Sequence, residues 1–146
     1  MGKQYVLKVY VPGQARSVFR TLQISGRESL DGLAGAILKA FRFQDDYHMY
    51  DFFMDGRPSS ENCYQRWQEN EEASTTGISL DALDLKKSQK FLFHYSFAGN
   101  WFFTVHVQKE EEEEEYGSPV LLKEKGELVQ FPGIRRLSGK GGKQEG

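Results

Sequence analysis

Apolar positions recur with a period of two from the first residues of the chain. Tyr5, Leu7, Val9 and Val11 alternate with Val6, Lys8 and Tyr10, and Pro12-Gly13 closes the run. This predicts a half-buried strand. Val18, Leu22 and Ile24 mark a second strand. The charged Arg20 shares their parity, so it is expected near a strand end or across a sheet edge. A short polar link joins the two strands as a hairpin, ended by Ser25-Gly26. The period then changes. Leu30, Leu33, Ile37, Leu38 and Phe41 fall on one helical face, behind Ser29 as N-cap and Asp31 in the first turn. Gly32 and Gly35 are expected to let this helix lie close to a sheet. The helix should stop before Gln44-Asp45-Asp46.

A third strand is predicted from Tyr47 to Met54, with a turn at Asp55-Gly56 and a short strand within Asn62 to Trp67. Glu69 to Gly77 reads as an exposed loop and Ser79 to Leu83 as one capped helical turn. Residues 91–108 form the densest aromatic stretch, two β-forming runs about a small-residue turn. A three-residue turn, Ala98-Gly99-Asn100, pairs Phe97 with Trp101, Tyr95 with Phe103, Phe93 with Val105 and Phe91 with Val107. All eight side chains then share a buried face, which favours this register over that of a two-residue turn. The opposite face carries Leu92, His94, Ser96, Phe102, Thr104 and His106. In this register His94 and His106 are diagonal neighbours, the geometry of half a metal site or a pH-sensitive pair; the plain alternative is two strand histidines. Pro119 to Leu122 is read as a last edge strand. Residues 1–132 are expected to form one domain, and residues 133–146 a flexible Gly/Lys-rich tail.

Charge changes the picture only by its placement. Residues 1–108 hold 12 basic and 12 acidic side chains, so the formal −2 arises beyond them, where Glu110 to Glu115 form an unbroken run. That run reads as a solvated spacer, and its place beside the last hairpin strand as a guard against edge pairing. A balanced domain does not favour nucleic acid as the partner. No apolar run approaches the length of a membrane span, no signal-peptide pattern precedes the first strand, and one cysteine, Cys63, excludes an internal disulfide. A cytoplasmic protein is the simplest reading. Nucleotide-binding glycine motifs and paired metal-ligand motifs are absent. Cys63 has no activating base in its sequence neighbourhood. His48, close to Asp45, Asp46 and Asp51, is a further candidate, and Asp55 with these aspartates could attract a hard cation or simply cap turns.

The same residues carry a resemblance. Tyr5 to Val11 with Val18-Phe19-Arg20, the helix from Leu30 to Phe43, His48-Met49-Tyr50-Asp51-Phe52, and Phe93-x-Tyr95-Ser96-Phe97-Ala98-Gly99-Asn100-Trp101 resemble, in order and spacing, the plasmid-Ri open-reading-frame-three-like family over residues 5–108. Ser96 and Gly99 stand where that family's motif has aspartates, Ala98 where it has glycine, and Ala34 where its helix commonly has histidine. Phe131-Pro132-Gly133 is the nearest match to its closing segment. The resemblance implies an α+β fold with a β-β-α-β opening, a β-grasp-like roll of one main helix on a mixed sheet. It implies no established reaction. Three functions follow from the residues together with what the resemblance implies. The first is a non-catalytic binding or adaptor domain, its site on the polar sheet face (His48, His94, Ser96, Thr104, His106) and the loop from Pro58 to Gly77. The second is a mobile-element DNA-binding accessory protein using Arg16, Arg20, Arg27 and Arg42. The third is a metal-dependent hydrolase using His48, His94 and His106. No cofactor or metal is expected. The partner is unknown, with a protein or small ligand expected ahead of nucleic acid, and no membrane.

Overall fold

The β-branched and aromatic runs become strands of one sheet. The computed structural model describes residues 2–44, 49–67, 71–96, 100–112, 115 and 117–128. Among these residues the order is β1 (Lys3–Tyr10), β2 (Phe19–Ser25), α1 (Leu30–Ala40), β3 (Tyr50–Phe53), β4 (Cys63–Arg66), β5 (Lys90–Tyr95), β6 (Trp101–Glu112) and β7 (Val120–Lys125), with short 3-10 turns at Glu71–Ala73 and Asp81–Leu83. The strands lie in the order β4-β3-β5-β6-β1-β2-β7, and every pairing is antiparallel.

This overturns the expected fold class. The chain is mostly β, a seven-stranded antiparallel sheet with one α-helix of 11 residues, not an α+β grasp on a mixed sheet. The reason lies in the crossover. A helix joining two strands from one face makes those strands run parallel, and β2 and β3 do. Three strands (β1, β6 and β5) come between them, so the parallel pair never forms. Local pattern reports the crossover but not what is inserted into it.

The α1 stripe packs as its spacing predicts: Leu30, Leu33, Ile37, Leu38 and Phe41 are all buried. Ser29 Oγ accepts from the Gly32 N–H at 3.1 Å, the N-cap bond. The two helix glycines do not serve the sheet. A Cβ on Gly35 would meet open space, and one on Gly32 would meet the Glu28 side chain. The opposing sheet face supplies Tyr5, Leu7, Val9, Leu22, Ile24, Phe52, Phe91, Phe93, Tyr95, Phe103, Val105 and Val107 to the same core. Arg20 sits among them, 1% exposed. Its Nε donates to the Ala40 carbonyl at the end of α1, and its Nη1 donates to the Phe19 and Lys125 carbonyls, each at 2.9 Å. Its guanidinium lies 4.7 Å from the Phe41 ring centre. A residue expected at an edge is therefore an interior clamp between α1, β2 and β7.

The aromatic hairpin has the expected faces in a different register. Tyr95 pairs with Trp101, Phe93 with Phe103, Phe91 with Val105, Leu92 with Thr104 and His94 with Phe102. The pairing is shifted by two residues, with Tyr95 in place of Phe97 opposite Trp101; Phe97 and the Ala98-Gly99 of the expected turn lie outside the described residues. A shift of two preserves which side chains face inward. What selects it is the whole sheet: Phe52, Phe93 and Phe103 fall in one row across β3, β5 and β6, and Val105 of that row's neighbour meets Val9 of β1. The acidic run is also not a spacer throughout. Glu110, Glu111 and Glu112 continue β6 opposite Tyr5, Gln4 and Lys3. The outer strands of the sheet are β4 and β7, but β5 pairs with β6 only from Trp101 to His106, so among the described residues Glu110 to Glu112 have a partner strand on the β1 side alone.

Candidate functional site

α1 covers one face of the sheet and leaves the other open. The open face follows from parity: residues alternating with the core positions point there. Two groups of side chains gather on it, one across β3, β5 and β6 and one across β5, β6, β1, β2 and β7.

His94 organises the first. Its ring stacks on Phe102 at 4.6 Å and 21° and lies 6.4 Å from Phe53. Nδ1 is 3.5 Å from Asp51 Oδ2, the residue opposite it on β3, and Nε2 is 3.0 Å from Asn100 Oδ1 in the hairpin loop. Two acceptor oxygens suit an imidazolium, which donates from both nitrogens. The pKa of His94 is raised, first by the bond to Asp51, against the opposing effect of burial. Both nitrogens are engaged, so His94 latches the hairpin loop to β3 rather than presenting a base. The latch has a pH signature. Folding lifts this pKa above the unfolded value of about 6.5, so its stabilisation is full below about pH 6.5 and is lost as pH rises through the folded value. In Asp51→Asn the His94 titration, followed by NMR of the ring protons, should fall below the wild-type midpoint. An unchanged midpoint would remove Asp51 as the cause.

The other nominated residues that are described do not join His94. His106 pairs with Lys90 and His94 with Phe102, which places the histidines four residues apart along the strands, about 13 Å. They are not diagonal neighbours, because of the two-residue register shift. Thr104 lies between them, opposite Leu92 and Tyr10. Ser96 is exposed in the loop, and His48 lies outside the described residues. No group of three or more metal-ligating side chains occurs among the described residues. Cys63, opposite Phe53 on β4, is half-buried and free. Asp55 caps its own turn: it accepts from Ser60 Oγ at 2.6 Å and from Arg57 at 2.9 Å, which lowers its pKa to about 2, the Ser60 bond first. The loop from Pro58 onward is thus tied to itself. The half-buried Asp31 carboxylate is structural as well: it accepts from Tyr50 at 2.7 Å, Thr76 at 2.5 Å and Arg66 at 3.2 Å, joining α1 to β3, β4 and the following loop.

The four arginines do not share a surface. Arg20 is interior. Arg16 and Arg27 are exposed at opposite ends of β2, and the exposed Arg42 is 3.5 Å from Glu124.

The second group was missed in the sequence. Register aligns Lys90, His106, Lys8, Thr21 and Lys123 in one row across β5, β6, β1, β2 and β7. Lys109, opposite Val6, stands beside this row. Among the described residues no carboxylate pairs with Lys8, Lys90 or Lys123, and Lys109 is 3.9 Å from Glu111. Lys8 Nζ rests 4.6 Å from the Phe19 ring centre and 5.8 Å from that of Tyr10, contacts that hold the ammonium without neutralising it. His106 registers the field: its pKa is lowered, first by burial and then by Lys90 and Lys8. The parity of Lys8 in β1 was the available signal, but the other members are up to 115 positions away in sequence. A separate groove of about 480 Å³ between α1 and β7 has an apolar floor of Leu22, Ala36, Ala40, Pro119 and Leu121, with Glu28, Lys39 and Arg42 of mixed sign also lining it.

A family model described as plasmid pRiA4b ORF-3-like protein matches residues 3–130. The chain belongs to the plasmid pRiA4b ORF-3-like family. The match extends the resemblance over residues 5–108 to the end of β6 and to β7. A crystal structure of a protein of unknown function, MM3350 from Methanosarcina mazei Go1, has a similar fold, with a TM-score of 0.66 and 22% identity over 88% of this chain and 72% of that one. At that identity the likeness concerns fold alone. No curated protein matches the chain. Nothing in these relationships points to catalysis by this ORF-3-like protein. No described helix is long and apolar enough to cross a membrane.

Proposed function

We propose that this ORF-3-like protein is a non-catalytic binding module that receives an anionic partner on the open face of its sheet, in the cytoplasm. The observation that carries the reading is the row Lys90-His106-Lys8-Thr21-Lys123, whose three lysines have no carboxylate partner among the described residues. Like charges in one row repel, which is a cost that a bound anion removes. The rigid sheet beneath holds the row without ordering a loop on binding, which favours affinity. Both ring nitrogens of His94 are engaged, by Asp51 and Asn100, which supports binding over acid–base chemistry there.

The test uses two polyanions, a polyglutamate peptide and a single-stranded oligonucleotide, titrated at low ionic strength (about 50 mM), where screening is weak. Binding should weaken with added salt and be lost in Lys8→Glu/Lys90→Glu at an unchanged melting temperature. Preference for the oligonucleotide would move the reading toward nucleic acid, and preference for the peptide toward an acidic protein. Failure of both probes, or binding that survives the double substitution, would end it.

A further inference from the structure

The open face is not flat where the lysines lie. Two β-bulges interrupt the sheet there. On the β6 side Val6 pairs with Lys109 and Leu7 with Val107, so Gln108 is the extra residue. On the β7 side Thr21 pairs with Lys123 and Leu22 with Leu121, so Leu122 is the extra residue. Leu7 and Leu22 are themselves partners, so the two bulges flank this one pair, the first on its Val6 side and the second on its Thr21 side. Bulges bend the strand that carries them and re-aim side chains. Between these two lies a groove of about 460 Å³, lined by Val6, Lys8, Phe19, Thr21, Gln108, Lys109, Leu122 and Lys123.

We infer that this bulge-bounded groove binds a small molecule carrying a phosphate monoester on an aromatic body, a reading that rests on the open face being the binding face. Three ammonium groups (Lys8, Lys123 and Lys109, the last also 3.9 Å from Glu111), one hydroxyl (Thr21) and one amide (Gln108) supply the donors. A carboxylate offers two oxygens and one charge. A phosphate monoester offers three terminal oxygens and nearly two charges at neutral pH, which matches three lysines better. The apolar lining asks for more than an anion. Phe19 is half-exposed, Leu122 is 46% exposed, and Val6 lies between them and Lys109. A ligand with an aromatic or apolar body covers this surface as its phosphate meets the lysines.

The probe is adenosine 5′-monophosphate, with adenosine and inorganic phosphate as its separated halves, titrated into the full chain at about 50 mM salt. The nucleotide should bind at least about ten-fold more tightly than either half. Its backbone amide shifts should centre on Val6, Thr21, Gln108 and Leu122. Lys8→Gln/Lys123→Gln should reduce affinity about ten-fold or more, while Lys39→Gln, on α1 under the opposite face, leaves it unchanged. Nucleotide binding no tighter than phosphate alone, or shifts centred elsewhere, would overturn the inference. The wild-type shift map does not depend on how the variants fold. Retention of a polyanion with no nucleotide binding would sink the groove assignment alone, whereas loss of both would sink the binding-face reading with it.

Discussion

Phe93→Ala is expected to destabilise the protein by about 3–5 kcal/mol, the range for truncating a buried aromatic. Phe93 is fully buried. Its ring lies 4.9 Å from Phe52, 5.6 Å from Tyr50, 6.0 Å from Phe103 and 6.3 Å from Tyr95. Removing it deletes one member of a row spanning three strands and leaves a cavity beneath α1 that rigid neighbours cannot close. The denaturation midpoint should fall with little change in slope, since the surface exposed on unfolding is nearly the same. Phe93→Leu, which keeps much of the apolar volume, should cost clearly less. A double-mutant cycle adds a test of register: Phe93 and Phe103 should couple by about 0.5–1.5 kcal/mol. Coupling to Val105 in place of Phe103 would restore the register of the three-residue turn and contradict the pairing described above.

The second large effect belongs to a charge. Arg20→Met should cost about 2–4 kcal/mol, although methionine fits a buried site, because three carbonyls lose their donor. Those carbonyls, of Ala40, Phe19 and Lys125, belong to α1, β2 and β7. Lysine cannot replace the arginine: an ammonium is a point donor, while the guanidinium presents a planar fork to several acceptors at once. Arg20→Lys should therefore recover only part of the loss. Arg42→Ala is the contrast. Arg42 is 66% exposed and 3.5 Å from Glu124, so its removal should cost no more than about 1 kcal/mol. Equal effects for the two arginines in thermal or chemical unfolding would contradict the clamp. Hydrogen exchange adds a second readout, since losing the clamp should accelerate exchange in β7 before the β1-β6 centre.

Arg20 also marks where sequence reasoning ran out. Its parity with Val18, Leu22 and Ile24 pointed inward, and only the expectation that charge avoids the core moved it to an edge. What makes the interior tolerable is the carbonyl end of a helix twenty residues away and a carbonyl of β7 a hundred residues away, neither visible from β2. The histidines failed for a related reason. His94 and His106 were correctly assigned to the open face, but their proximity rested on one hairpin's turn length. The chosen register satisfies four strands at once, and it separates them. In place of a metal pair, His94 meets Asp51 and Asn100, and His106 meets two lysines.

The sequence by itself determined the local elements and their faces. Side chains alternate strictly along a strand and recur every 3.6 residues along a helix, so Leu7, Phe93 and Ile37 were legible as core and Lys8 and His94 as outward. It also carried the family, through aromatic positions that survive while the acidic ones do not. Tertiary structure alone decided strand order, register and therefore the candidate site. A slip of two residues leaves every face unchanged and so leaves no trace in the pattern, yet it chooses which outward side chains stand together. The row that joins Lys8, Thr21, Lys90, His106 and Lys123 exists only once five distant strands are laid side by side.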